Sequence, residues 1–300
     1  MSSAVRPRRS VLYMPGSKAR ALEKARTLAA DGLIFDLEDG VAPGQKAAAR
    51  DAVVAAIRAG GYGGRERVIR VNGFDTEWGA LDLAAAATSG AHAVLVPKVE
   101  SADHVNTAAE LLIRAGAPED LTIWCMMETP RGILHAKEIA TASPRVACLV
   151  MGTSDLAKDL HAHHTPDRLP FVASLGLCVL AARAHGLAIL DGVHLDLSDD
   201  EGFRAQCRQG LEFGFDGKTL IHPKTIAAAN EIFAPGTEDI AWSERIIATF
   251  ESAQAEGKGV VLVDGQLIET LHVENARRIV ALADAIAALD TNLQTSAAAE

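Results

Sequence analysis

Eight short, mainly apolar runs recur along the chain, each ending in polar residues or glycine, and helical spacing returns between them. They are Ser10–Gly16 (SVLYMPG), Gly32–Asp39 (GLIFDLED), Arg67–Gly73 (RVIRVNG), Ala93–Glu100 (AVLVPKVE), Leu121–Thr129, Ala147–Gly152 (ACLVMG), Ala188–His194 (AILDGVH) and Gly217–His222 (GKTLIH). Continuous apolar runs of this length are what strands buried on both faces require, and helices between them make the sheet parallel. No Rossmann glycine fingerprint follows the first run, so eight βα units point to an α/β fold of the (β/α)8 TIM barrel type rather than a doubly wound sheet. A chain of 300 residues with 49% hydrophobic content can fill one such core.

Ser17 reads as the cap of a first helix running to Ala30, Gln45–Arg58 as a second, and Ser101–Ala115 as an amphipathic helix after the fourth strand. Beyond the eighth strand the spacing predicts helices over Ile226–Phe233 and Ile240–Glu256. A hairpin then turns at Asp264-Gly265, and a helix follows over His272–Leu289. The expected organisation is a barrel over residues 1–233, a C-terminal helical and β-hairpin extension over 234–290, and a disordered tail over 291–300 that is too poor in apolar residues to pack.

The net charge of -10 offers no basic face to a nucleic acid, and the balance disfavours anionic membranes. Cys125, Cys148, Cys178 and Cys207 show no paired spacing, which fits buried reduced thiols and a cytoplasmic setting. No apolar stretch has the length of a membrane span or of a signal peptide.

Chemistry is expected at the carboxyl ends of the strands, where loops vary over a rigid scaffold. Asp36, Glu38, Asp39, Arg70, Lys98, Glu128 and Asp155 all fall there. The two-residue period of a strand directs Glu128 inward with Met126 and Trp124, Arg70 with Val68 and Asn72, Glu38 with Asp36, and Lys98 with Val96. Glu128 and Asp155, with waters and a chelating oxygen substrate, make a ligand set suited to Mg2+; an ion-pair network is the alternative reading of the same charges. Backbone amides over Gly152–Leu156, where a strand gives way to a helix, are placed to hold a substrate carboxylate. His161–His164 (HAHH) matches no common zinc spacing and reads as a polar loop. His194, His222 and Asp191 lie at the seventh and eighth strand ends as supporting rim residues.

The motifs RSVLYMPGS, FDLEDGVAP, RVNG, VPKVES, METPRG, GTSDLAKDL and GFDGKTLIHP follow one another from Arg9 to Pro223. Together they resemble the citrate lyase beta subunit-like group of CoA ester lyases within the HpcH/HpaI aldolases, which includes malyl-CoA and citramalyl-CoA lyases. The resemblance implies a carbon-carbon lyase that cleaves a short 3-hydroxyacyl-CoA to an acyl-CoA and a 2-oxo acid, glyoxylate or pyruvate. It implies Mg2+, with Mn2+ as a substitute, held by Glu128 and Asp155, and a homotrimer or homohexamer. Arg70, Asp39 and Glu269 take the catalytic roles; Asp36, Glu38 and Lys98 stand behind them; Arg70, Gly152, Thr153, Ser154 and Leu156 contact substrate. The group places an acid/base aspartate from a neighbouring subunit in a Met-Ile-Asp motif, and here Leu267-Ile268-Glu269 stands in its place. That replacement keeps a malyl-CoA thioesterase open as an alternative activity, alongside a citrate lyase beta subunit that works only in a complex. Lys18, Arg20 and Lys24 are candidate contacts to CoA phosphates.

Overall fold

The computed structural model describes residues 5–255, 257 and 259–297. Its strands are β1 (Ser10–Pro15), β2 (Gly32–Asp36), β3 (Glu66–Arg70), β4 (Ala93–Val96), β5 (Thr122–Met127), β6 (Val146–Met151), β7 (Ala188–Asp191), β8 (Gly217–Leu220), β9 (Val261–Val263) and β10 (Gln266–Ile268). Its α-helices are α1 (Ala19–Lys24), α2 (Lys46–Ala59), α3 (Gly79–Ala87), α4 (Ala102–Arg114), α5 (Pro130–Leu134) and α6 (Ala136–Thr141). They continue with α7 (Thr153–Asp159), α8 (Val172–Ala184), α9 (Asp200–Phe213), α10 (Ile226–Phe233), α11 (Thr237–Ala255) and α12 (Thr270–Ala297).

Strands β1 to β8 pair in sequence order, all parallel, and β8 closes on β1. The chain is therefore a (β/α)8 barrel, and alternation of side chains splits its apolar residues into two layers. Val11, Ile34, Val68, Leu95, Trp124, Met126, Val150 and Leu190 fill the barrel, while Leu12, Leu33, Ile69, Val94, Val96 and Leu149 face the helices. Trp124 is the largest fully buried side chain. Arg8 covers it, with its guanidinium 5.2 Å from the ring centre and 2.6 Å from Glu66. Truncating such an aromatic costs about 3–5 kcal/mol.

Local caps fix how strands hand over to helices near the rim. Thr129 accepts from the Gly132 amide at 3.0 Å, with Pro130 at the first helical position of α5, so the chain turns sharply after Glu128. The first helix is shorter than the spacing predicts: α1 ends at Lys24, tightens to a 3-10 turn over Ala25–Thr27, and has no side-chain cap. Tertiary donors take the carbonyls of that segment, Tyr62 Oη reaching Leu22 O at 3.1 Å and Arg65 Nε reaching Leu28 O at 2.7 Å.

The chain falls into two compact units, one built on Arg8–Phe233 and one beginning at Ala234. In the second, α11, α12 and the antiparallel β9–β10 hairpin share a core of Ile246, Phe250, Val263, Ile268, Val273 and Ala276. The hairpin turns at Asp264 and Gly265, both at positive φ (47° and 80°), as an Asp-Gly turn of the primed type demands. The expected disordered tail differs from what is found through residue 297. Helical bonding continues, and Thr291 Oγ1 donates to Ala287 O one turn back at 2.9 Å; residues 298–300 lie outside the described residues. Among the described residues no helix is long and apolar enough to cross a membrane, and all four cysteines are buried and unpaired.

Candidate active site

A cavity of about 370 Å³ opens at the carboxyl ends of the barrel strands. Its walls come from Tyr13 and Pro15 on β1, Asp36 at the end of β2 with Asp39 and Gly40 after it, Arg70 on β3, and Met126 and Glu128 at the end of β5. Met151 to Asp155 at the β6–α7 junction, with Val193, Thr219 and Ile221, complete it. Of the residues expected to act here, Asp36, Asp39, Arg70, Glu128, Gly152, Thr153, Ser154 and Asp155 line one space.

Arg70 is held rigidly. It faces Asp36 in register across β3 and β2, and Nε and Nη2 donate to the two Asp36 oxygens, both at 2.7 Å. The same carboxylate accepts from the Glu38 amide at 2.9 Å and the Gly40 amide at 2.8 Å. Burial alone would raise the Asp36 carboxyl, but the Arg70 hydrogen bonds and charge outweigh it and hold the group below its ordinary range. Asp36 is thus a saturated acceptor that orients a cation. Gly40 is required beside it, since a Cβ there would lie 2.5 Å from Asp36 Oδ2. On its other side, Arg70 Nη1 approaches Glu38 at 3.0 Å and the exposed Asp39 at 3.7 Å, and its guanidinium lies 4.8 Å over the Tyr13 ring.

Glu38 and Glu128 are bridged by Lys98. Its Nζ donates to Glu38 Oε1 at 2.6 Å, and its amide donates to Glu128 Oε1 at 2.7 Å. The pairing of Lys98 with an inward Val96 is corrected by the structure. Ala93 and Leu95 face inward on β4, Val96 packs against the helices, and Lys98 reaches the site only because its backbone turns left-handed, at φ 48°. Asn72 also departs from the expected alternation: past the end of β3 its side chain turns to Asp82 Oδ2 on α3, at 2.6 Å, and to Leu37 O. Lys46, buried on α2, donates to the carbonyls of Leu37 at 2.9 Å and Glu38 at 2.6 Å and so fixes the backbone that carries Glu38.

Glu128 is 2% exposed, and burial, followed by the negative charge of Glu38, pushes its carboxyl up to about 7. Oε2 accepts no hydrogen bond among the described residues. Asp155, in the first turn of α7, is half-buried, and its side chain likewise has no hydrogen bond or ion pair among the described residues. Two carboxylates on one cavity, one of them destabilised by burial beside another anion, fit a hard divalent cation with oxygen ligands. Among the described residues no three His, Cys, Asp or Glu side chains form a metal-holding group, so such an ion would draw its remaining ligands from water or substrate. Gly152 allows this approach, because a Cβ there would lie 2.5 Å from both Cβ and Oε2 of Glu128.

Leu156 does not join the cavity as a contact. Its side chain packs in the outer core and its amide donates to Gly152 O at 3.2 Å within the helix. Lys18, Arg20 and Lys24 are exposed on and just before α1, without side-chain partners among the described residues. His161–His164 forms a loop in which His164 packs against Phe171, and His222 Nδ1 accepts from the Lys224 amide at 3.1 Å. Asp191 lies fully buried between Arg168 at 2.7 Å and Lys218 at 2.9 Å, behind the β7 and β8 ends. Glu269 is exposed at the start of α12, its amide donating to His272 Nδ1 at 3.1 Å.

Tyr13, Met126 and Thr219 line the cavity, although sequence reasoning gave none of them a role there. The signal for Tyr13 was present: the two-residue period that places Val11 inside places Tyr13 beside it.

A closed parallel barrel with carboxylates and a clamped guanidinium around one cavity at its strand ends defines a (β/α)8-barrel enzyme with an oxygen-rich site. Residues 9–223 match the model of the HpcH/HpaI aldolase/citrate lyase family, and the chain belongs to that family. A (3S)-malyl-CoA thioesterase of Cereibacter sphaeroides is 52% identical over 288 residues, covering 96% of this chain and 99% of that protein. An L-malyl-CoA/beta-methylmalyl-CoA lyase of the same species is 35% identical over 308 residues, covering 94% and 96%. The structure of CitE from Mycobacterium tuberculosis in complex with magnesium, acetoacetate and coenzyme A matches with a TM-score of 0.72 and 32% identity. That match covers 92% of this chain and 97% of CitE.

Proposed function

We propose that this enzyme hydrolyses a short 3-hydroxyacyl-CoA of the malyl-CoA type to the free hydroxy acid and CoA, in a Mg2+-dependent reaction. The observation that carries the reading is the 52% identity to a (3S)-malyl-CoA thioesterase along almost the full length of both chains, against 35% to the lyase. Glu128 and Asp155 would hold the cation. When bound, it would supply a Lewis acid and an oxygen template for the hydroxy acid.

The remaining work falls to side chains of this protein. Arg70, unable to swing away from Asp36, presents fixed positive charge to the thioester oxygen as negative charge develops there, at no cost in reorganisation. Water attacks the thioester carbon, a carbon-oxygen bond forms, and the carbon-sulfur bond breaks. The water proton passes to Glu269 as general base and from it to the departing CoA sulfur. Glu269 is assigned to a neighbouring subunit of a homo-oligomer, a trimer or hexamer. Asp39, exposed beside Arg70, sets the charge at the cavity mouth, Thr153 and Ser154 line the substrate side, and the exposed Lys18, Arg20 and Lys24 meet CoA phosphates.

Carbon-carbon cleavage to acetyl-CoA and glyoxylate is the second reading, favoured by the 35% identity to a malyl-CoA lyase, and it uses the same Arg70, Glu128 and Asp155. Mass spectrometry of the products from malyl-CoA and Mg2+ separates the two. Malate with free CoA supports hydrolysis, whereas acetyl-CoA with glyoxylate supports the lyase. Turnover seen only with added partner chains would instead favour a citrate lyase subunit.

A further inference from the structure

We infer that Tyr13 is a further catalytic residue, its hydroxyl donating a hydrogen bond to a substrate oxygen seated beside Arg70 and Glu128. The inference rests on the proposed thioester hydrolysis at this cavity, and it assigns a donor that the charged residues do not supply.

Tyr13 stands near the end of β1 on the inner face of the barrel, packed against the layer that contains Val11 and Met126, and it lines the cavity. Its hydroxyl makes one hydrogen bond among the described residues, to the thioether Sδ of Met126 at 3.4 Å. A thioether is a weak acceptor, so a strong phenolic donor is left poorly matched in a cavity that also holds Asp36, Arg70 and Glu128. An anionic or carbonyl oxygen from substrate is the better partner and would displace the sulfur.

Position gives the hydroxyl its task. The face of the ring lies under the Arg70 guanidinium, at 4.8 Å, while the hydroxyl at its edge points across the barrel to Met126 of β5, the strand that Glu128 directly follows. Ring and guanidinium therefore form one rigid unit, held in turn by Asp36. Burial raises the phenol's pKa far above neutrality, so it acts as a donor and not as a base. A fixed neutral donor next to a fixed cation is the arrangement that stabilises charge growing on a thioester oxygen.

Tyr13→Phe tests this, since it removes the hydroxyl and keeps the ring beneath Arg70. In the full-length protein with Mg2+ and malyl-CoA, kcat is expected to fall about 10²-fold, the usual effect of removing one such donor. KM and the melting temperature should stay close to wild type. Unchanged kcat overturns the inference, and so does a loss of melting temperature in step with activity, which would assign the hydroxyl to packing. If the wild-type protein turns over no CoA thioester, the proposed function fails, and calorimetric binding of malate in the presence of Mg2+ decides the role of Tyr13. A Kd weakened about tenfold in Tyr13→Phe supports the contact. An equal Kd, or no malate binding by the wild-type protein, overturns it.

Discussion

Asp36 and Arg70 face each other across neighbouring strands, and both carboxylate oxygens accept from the guanidinium at 2.7 Å, with both residues buried. Removing one partner of a buried pair leaves the other uncompensated. Asp36→Asn is therefore expected to destabilise the protein by about 3–5 kcal/mol, read from urea unfolding, and to lower kcat through the freed Arg70. Stability and activity within error of wild type would show that the clamp is dispensable.

Glu128 makes stability depend on pH in the absence of divalent cations. Its folded-state carboxyl is raised from an ordinary 4.5 to about 7, by burial first and by Glu38 second. Its contribution is fully present below about 4.5 and is lost as pH rises through about 7. Thermal unfolding in chelator should show stability falling across that window by on the order of 1–3 kcal/mol. Glu128→Gln should flatten this limb, and an unchanged slope in the variant would assign the effect elsewhere.

Gly152 is expected to tolerate no side chain. A Cβ would press on Glu128 at 2.5 Å and on Met126 Cε at 2.9 Å. Gly152→Ala should cost about 1–3 kcal/mol by overpacking and should reduce kcat/KM far more than that loss of stability suggests, because the displaced atoms belong to Glu128. Steady-state kinetics beside a melting curve reads both quantities.

Glu269 and Arg70 supply a test of shared sites. Arg70→Ala and Glu269→Gln should each be inactive alone. Mixing the two under conditions that exchange subunits should restore part of the activity if Glu269 acts in a neighbour's cavity. Demonstrably mixed oligomers without activity would place the base in the same chain or on another residue.

The eight strands were legible because burial on both faces demands unbroken apolar runs, a demand that survives tertiary context. The strand-end charges were legible for the same reason, since an ionisable group at the end of such a run has few structural uses. Legibility stopped where contacts distant in sequence decide. The shortening of α1 depends on Tyr62 and Arg65 taking its carbonyls, and the reach of Lys98 depends on one left-handed backbone residue that no period foretells. The buried cluster of Arg168, Asp191 and Lys218 joins positions 168, 191 and 218, so its ion pairs appear only once the barrel has closed. Tyr13 was legible by its period yet hidden by its chemistry, an aromatic in a strand being ordinary core until the residue is found lining the cavity with its hydroxyl on a thioether.

In the proposed enzyme, Glu128 and Asp155 hold one divalent cation next to Arg70. Calorimetric titration of Mg2+, with Mn2+ as a spectroscopic substitute, into the wild-type protein, Glu128→Gln and Asp155→Asn tests this directly. One site in the wild type, weakened about 100-fold or more in each variant, is the predicted result, in line with losing one of two protein ligands. A Glu128→Gln protein that binds Mg2+ as tightly as the wild type would contradict it.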